Sequence, residues 1–317
     1  MGKKVMFGRT GLEVCPLIFG TLPLGPLQAN LSAEEGGRLI RHGLERGINL
    51  LDTAEMYGTY GHIRAALDGF GGEVLIASKT HATDPRTARM HLERALREMG
   101  RDHVDIFHLH AARLTDPLQE RKGVWEEILR MKEEGKVRHA GVSSHLVPVV
   151  RALASSSEVE VIHPLINRTG MGILGGDSKE MAAAIQACSD AGKGVYAMKA
   201  LAGGNLISAA RASLFYVKDL PGVAAVAVGM LSAAEIDANL ALLCGLENDK
   251  SDWQVLQSRK RHLRIMAMFC NGCGACVKAC TNNALFVEEG RACLREEDCI
   301  LCGYCAAACP NFLIRVV

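Results

Sequence analysis

Short apolar runs recur along the first three quarters of the chain, and between them lie stretches whose apolar positions fall three and four apart. The runs at 14–20, 48–52, 74–79, 104–110, 137–143, 161–167, 194–199 and 223–229 predict eight strands. Residues 34–46, 87–99 and 179–191 predict helices among them. Leu39, Ile40 and Leu44 give the first helix its apolar face, and Gly100 and Gly192 stand where helices commonly end. Eight strands alternating with helices over roughly 235 residues predict an α/β fold of the (β/α)8 barrel type. The alternative, an open doubly wound sheet, wants a glycine fingerprint after its first strand, and "LIFGTLPLG" is not one. A G-x-G-x-x-G does occur at Gly170, Gly172 and Gly175, but it follows the sixth strand and reads as a flexible loop.

The alternation stops before the last 48 residues, which hold all of the cysteines except Cys15, Cys188 and Cys244. Residues 270–280 and 299–309 each read C-x2-C-x2-C-x3-C. Structural zinc usually takes two C-x2-C pairs with a longer gap. The spacing here is that of bacterial two-cluster ferredoxins, in which the fourth cysteine of each run serves the other cluster. It assigns Cys270, Cys273, Cys276 and Cys309 to one [4Fe–4S] cluster, and Cys299, Cys302, Cys305 and Cys280 to the second. Gly272, Gly274 and Gly303 suit backbone wrapped tightly around a cluster. Pro310 follows the last cysteine as the pattern asks, whereas Thr281 stands in the matching place of the first run. Cys293 reads as a small buried residue. The expected organisation is a barrel over 1–246, a charged linker over 247–264 and a small α+β ferredoxin-like domain over 265–317.

Charge and composition add limits. The formal charge of +1 gives no global pull toward nucleic acid or a membrane surface, and 49% hydrophobic residues suffice for a large core. No apolar run reaches the roughly 18 residues of a membrane span. The opening residues lack the apolar core of a secretory signal. The expected setting is the reducing cytoplasm, where dense cysteines point to metal rather than disulfides.

Barrel chemistry sits at the C-terminal ends of the strands. Those ends present Asp52, with Tyr57 five residues on, then Lys79 and His110. A lysine beside the pair is expected to lower the Tyr57 phenol from its usual pKa near ~10. Tyr57 then donates a proton to a carbonyl oxygen as a hydride arrives at carbon, and His110 hydrogen-bonds the same oxygen. His108 shares its parity and lies one layer deeper. Singly, these residues also read as a helix cap, a solvated strand end and a core histidine.

In order and interval, "GRTGLEVCPLIFGT", "GINLLDTAEMYG", "IASK", "VDIFHLH", "GKVRHAGVSSH", "AMKALAGGNL" and "VGMLSAAEIDANL" resemble the aldo/keto reductase family over about residues 5 to 245. With the cysteine runs, the chain resembles members that carry a C-terminal 4Fe–4S module. The resemblance implies Tyr57 as proton donor, Asp52 and Lys79 as its partners, and His110 as carbonyl orienter. It also implies NAD(H) or NADP(H) extended across the barrel mouth near Gly20, Thr21, Ser143, Ser144, Lys199, Leu201 and Asn239. Met198 stands where many members stack a tyrosine on the nicotinamide, and His163 where a glutamine holds the carboxamide. Gly229 and Glu235 match positions that commonly carry basic residues for the 2′-phosphate of NADP, and a carboxylate there would repel a phosphate.

A hydride carries two electrons, whereas a cluster passes one. Three readings follow: a hydride-type enzyme reducing a carbonyl (or oxidising an alcohol) with a nicotinamide and coupled through its clusters to a separate carrier, a reductase fed by cluster electrons without nicotinamide, or an electron-transfer protein with a vestigial barrel site. An acidic ferredoxin, a flavodoxin or a flavoprotein is the expected partner. The basic stretch 258–264, with Arg259, Lys260, Arg261 and Arg264, offers either a docking patch for it or a solvated face.

Overall fold

The computed structural model of the protein describes residues 4–245, 252–311 and 313–316. Its first part is a closed barrel of eight parallel strands: β1 (Leu17–Gly20), β2 (Leu50–Asp52), β3 (Leu75–Thr80), β4 (Val104–His110), β5 (Val137–Ser144), β6 (Val161–Pro164), β7 (Gly194–Ala197) and β8 (Ala225–Gly229). Each strand pairs with the next, and β8 closes on β1 through Val226–Leu17 to Gly229–Gly20. The strands fall where the apolar runs predict them. The first is shorter, because Pro16 lacks the N–H a ladder needs; Glu13–Val14 joins Val5–Met6 in a separate hairpin instead.

That hairpin closes the bottom of the barrel. Phe7 and Val14 pack against Ile18, Leu50, Leu75 and Ile106, a layer in which every side chain is buried. The residues two places further along the strands therefore also point inward, but at the top, where the chemistry lies. Three of the outer helices begin on capping boxes or single caps. Ser32 and Glu35 cap Ala33–Glu45, Asp84 caps Pro85–Met99, and Asp177 with Glu180 caps Ser178–Asp190. Gly100 ends the second of these at φ 70°, the left-handed turn expected of it.

The C-terminal domain repeats one unit twice. Each cysteine run bends through a left-handed glycine (Gly274 at φ 73°, Gly303 at φ 79°) into a short helix, Ala275–Ala279 or Tyr304–Ala308. Strand β9 (Leu263–Ile265) pairs antiparallel with β12 (Ile314–Val316), and β10 (Leu285–Glu288) with β11 (Arg291–Leu294). Leu263, Leu285, Ala292, Leu301, Ile314 and Val316 form its own core. Its first strand begins at Leu263, inside the stretch expected as linker. The expected linker is partly structured, with a helix at Trp253–Gln257, and its residues 247–251 lie outside the described residues.

The small domain sits on the barrel mouth. Gln28 donates to the Leu301 carbonyl (3.2 Å), Asn205 to the Cys299 carbonyl (2.7 Å) and Arg113 to the Asn283 side chain (3.2 Å). The Gly170–Gly175 loop is one of the seats: a side chain on Gly172 would run into Ile300 at 3.0 Å. Among the described residues, no helix is long and apolar enough to cross a membrane.

Candidate active site and cluster cradles

At the top of the barrel, β2 and β3 bring Asp52 and Lys79 together. Lys79 Nζ donates to both carboxylate oxygens of Asp52 at 2.7 Å and to the Thr53 carbonyl at 2.9 Å. Lys79 is 1% exposed and Asp52 5%. Such a pair is stable only because every charge has a partner. Thr21, fully buried, donates its hydroxyl to the Asp52 carbonyl and meets Thr59, so it braces the loop that carries Asp52 rather than lining a cavity.

Tyr57 leans over this pair, with Lys79 Nζ 5.1 Å from its ring centroid. Its phenol is pushed well above the ordinary value, first by burial and then by Tyr304 and the Asp52 charge. The sequence reading expects the opposite sign. The reversal comes first from burial, which disfavours a phenolate, and Asp52 adds to it with its negative charge. Tyr57 thus rests as a proton-bearing acid.

His110 closes β4 at the rim, paired in register with Ser143 on β5, which in turn pairs with His163 on β6. Burial, followed by nearby positive charge, holds His110 and His163 well below the ordinary imidazole value; for His108, burial comes first and His163 next. All three are neutral at neutral pH. His108 lies deeper, as its parity demands, and Gly141 lacks a side chain because a Cβ there would meet the His108 ring at 2.4 Å.

Tyr196, on β7, is a site residue that the strand pattern does not single out. Its hydroxyl donates to Asp52 at 2.9 Å, so its oxygen accepts from His108 Nε2 at 2.8 Å. His163 stacks on the Tyr196 ring at 3.9 Å and donates from Nδ1 to the Tyr196 carbonyl at 2.8 Å. This leaves His163 Nε2 as an acceptor. The only advance signal for Tyr196 is that it shares parity with Met198 on the same strand.

A cavity of about 150 Å³ opens from Asp52, Tyr57 and His163 past Met198, Lys199 and Leu201 to Gly20 and Gly229. It is roofed by Leu301 and Arg261 of the C-terminal region. Ile207 and Arg261 also line a second cavity of about 330 Å³, with Glu235, Arg259 and Lys260 on its wall. Ser144 is buried and its hydroxyl accepts from Leu146, and Asn239 is buried on the helix Ala233–Cys244; neither lines these cavities. Among the described residues, Ser143 Oγ is buried without a hydrogen-bond partner.

In the basic stretch Arg259, Lys260 and Arg264 are exposed and Arg261 is half-buried. Arg259 pairs with Glu235, and Arg261 donates to Gln28 at 2.6 Å. These contacts also offset the Glu235 carboxylate. Lys260 lines the second cavity, and Arg264 lies on β9 opposite Arg315.

The two cysteine sets separate in space as the crossed spacing requires. Cys270, Cys273, Cys276 and Cys309 ring one cavity; Cys280, Cys299, Cys302 and Cys305 ring another, with Thr281 beside them. Backbone N–H groups of Gly272 and Ala292 point at Cys270 Sγ, that of Ala284 at Cys280 Sγ (3.2 Å), and that of Leu313 at Cys309 Sγ (3.4 Å). Donors aimed at sulfur stabilise bound thiolate, so this donor set fits iron–sulfur clusters. Burial and neighbouring sulfurs push the Cys305 thiol up. Cys293 is half-buried on β11 and lines neither cavity, which corrects the expectation of a buried residue.

Family comparisons agree with both halves. Residues 16–210 match the Aldo/keto reductase family and residues 269–313 the 4Fe-4S dicluster domain. A probable aldo-keto reductase of Glycine max is 27% identical over 179 residues, covering 51% of this chain and 49% of the relative. The uncharacterized oxidoreductase YrpG of Bacillus subtilis is 28% identical over 228 residues, 63% of this chain and 66% of the relative. The chain thus spans about half to two thirds of the curated relatives it matches. A Pseudomonas aeruginosa structure described as an aldo-keto reductase has a TM-score of 0.65 at 26% identity, covering 76% of this chain and 94% of that one. The aldo-keto reductase AKR11C1 of Bacillus halodurans shares the fold, with a TM-score of 0.64 over 81% of this chain and 96% of its own at 21% identity. The chain belongs to the aldo/keto reductase family and carries a 4Fe-4S dicluster domain at its C-terminal side.

Proposed function

We propose that the protein is a carbonyl reductase whose barrel site works with a nicotinamide dinucleotide and whose clusters connect it to a one-electron carrier. The observation that carries this reading is the buried Lys79–Asp52 pair beneath a protonated Tyr57, beside a cavity whose Ile207 and Arg261 wall is shared with the one that Lys260 lines. A bound nicotinamide would supply the hydride, and bound clusters would pass single electrons. Tyr57 gives its proton to the carbonyl oxygen. Neutral His110 hydrogen-bonds that oxygen and stabilises charge as it builds. Asp52 and Lys79 hold the Tyr57 ring in place, and Tyr196 fixes the Asp52 carboxylate.

The residues present fit the nicotinamide. His163 Nε2 is an unused acceptor and Ser143 Oγ an unpartnered hydroxyl, side by side at the rim, and together they suit an amide. Along the groove, Lys199 and Arg261 face the diphosphate path, and Arg259 offsets Glu235, so a 2′-phosphate beside Lys260 is no longer repelled. Titration of anaerobic, iron-loaded protein with NADPH and NADH tests the reading. Saturable binding of either supports it, with NADPH tighter.

A second reading, cluster electrons used in the pocket without nicotinamide, draws on one contact: Tyr304, between Cys302 and Cys305, reaches His110. Turnover of an aldehyde by dithionite-reduced protein, with no binding of either dinucleotide, would select it.

A further inference from the structure

The point on which Tyr57 and His110 converge is already taken, and its occupant comes from the other domain. Tyr304 stands between Cys302 and Cys305, at the start of the helix Tyr304–Ala308. Its hydroxyl oxygen accepts from the Tyr57 phenol and lies 3.4 Å from His110 Nε2. The Tyr304 and His110 rings meet edge to face at 84°, with centroids 6.2 Å apart. Around the Tyr304 ring pack Leu22, Leu27, Ala54, Met56 and Tyr57, all from barrel loops.

The two halves of the site differ accordingly. His163, Met198 and Lys199 line the first cavity, so the dinucleotide side is hollow. His110 lines neither that cavity nor the second, and the carbonyl side is filled by Tyr304. A phenol oxygen accepts hydrogen bonds as a carbonyl oxygen does. The seat of the plug is a contact between surfaces rather than a shared core. A side chain on Gly303 would meet the Leu27 carbonyl at 2.6 Å, and Gln28 and Asn205 hold the Leu301 and Cys299 carbonyls. The small domain keeps its own apolar core, so it can leave this seat without unfolding.

We propose that the C-terminal domain autoinhibits the barrel, with Tyr304 as a tethered stand-in for the substrate oxygen between Tyr57 and His110. This rests on the carbonyl reading given above. A carbonyl substrate enters only when Tyr304 withdraws, and its apparent affinity is reduced by the fraction of molecules in that open state. The dinucleotide lies along the other cavity and needs no withdrawal.

The test uses the anaerobic, iron-loaded full chain, with benzaldehyde as substrate probe and p-cresol, the tyrosine side chain as a free molecule, as a replacement plug. Tyr304→Ala should raise kcat/KM for benzaldehyde roughly tenfold or more, while the Kd for NADPH, which is indifferent to the plug, stays within about twofold. p-Cresol should bind Tyr304→Ala and compete there with benzaldehyde, and should not bind the parent. Gly203→Ala, which keeps Tyr304 but disturbs the seat, should also raise kcat/KM. Where turnover is too slow to follow, the calorimetric Kd for benzaldehyde takes its place. The proposal is overturned if Tyr304→Ala leaves benzaldehyde binding and turnover unchanged, if aldehyde and NADPH gain equally, or if p-cresol fails to compete. Undiminished turnover in Tyr57→Phe would instead sink the assigned chemistry, and the Kd values would still judge the plug.

Discussion

Gly203 faces the carbonyl oxygen of Ile300 so closely that a β-carbon on it would lie 1.7 Å away, and its φ of 73° already disfavours any other residue. Two separately cored domains are thus joined where one backbone touches another. Gly203→Ala is expected to lift the C-terminal domain from the barrel mouth. Small-angle scattering should show a larger radius of gyration and proteases should cut the connection faster, with iron content kept because that domain has its own core. An unchanged radius would refute this.

The Lys79–Asp52 pair predicts an asymmetric stability effect. Lys79→Met strands a buried carboxylate and should cost about 3–5 kcal/mol in denaturant unfolding, and adding Asp52→Asn should recover part of that loss. Tyr57→Phe should instead leave unfolding and dinucleotide binding nearly unaltered while lowering turnover by about 10²-fold.

The crossed cysteine sets make a metal prediction. Anaerobic protein should carry roughly eight irons and as many sulfides. Cys280→Ser should damage the cluster held mainly by the 299–305 cysteines, and Cys309→Ser the one held by 270–276. Damage confined to each residue's own run would contradict the arrangement.

Acid should weaken the rim. His145 is buried with Nδ1 unpartnered among the described residues, and burial with the Lys199 charge pushes it down to about 3. Unfolded, it titrates near ~6.5. Its folded value is the lower, so its contribution is complete above pH ~6.5 and is lost as pH falls toward 3, amounting to about 2 kcal/mol by pH 5. His145→Asn should flatten the stability profile across that window. A parallel profile would show that His145 takes up no proton on unfolding.

Lys260 lines the second cavity beside the Arg259–Glu235 pair. Lys260→Glu should weaken NADPH binding tenfold or more and NADH binding much less, since removing a charge-assisted contact to phosphate costs on the order of 1.5–3 kcal/mol. Equal losses for both would place no phosphate there.

Much of this was readable along the chain because it depends on local order. Strand ends place Asp52, Lys79 and His110; parity separates His110 from His108; spacing sorts the cysteines. The contacts that complete the site are not local. Tyr304 reaches His110 across 194 positions and Arg261 reaches Gln28 across 233, and no periodicity reports such a meeting. The sign of the Tyr57 shift failed for a related reason, since charge was visible in the sequence and burial was not.

Among the described residues strand β9 pairs with β12 alone, so Leu263 must wait for Val316 before the small domain can close. During synthesis the barrel strands leave the ribosome long before that. The barrel can therefore fold with its mouth uncovered. Cluster loading needs both cysteine runs together and so follows the synthesis of every barrel strand.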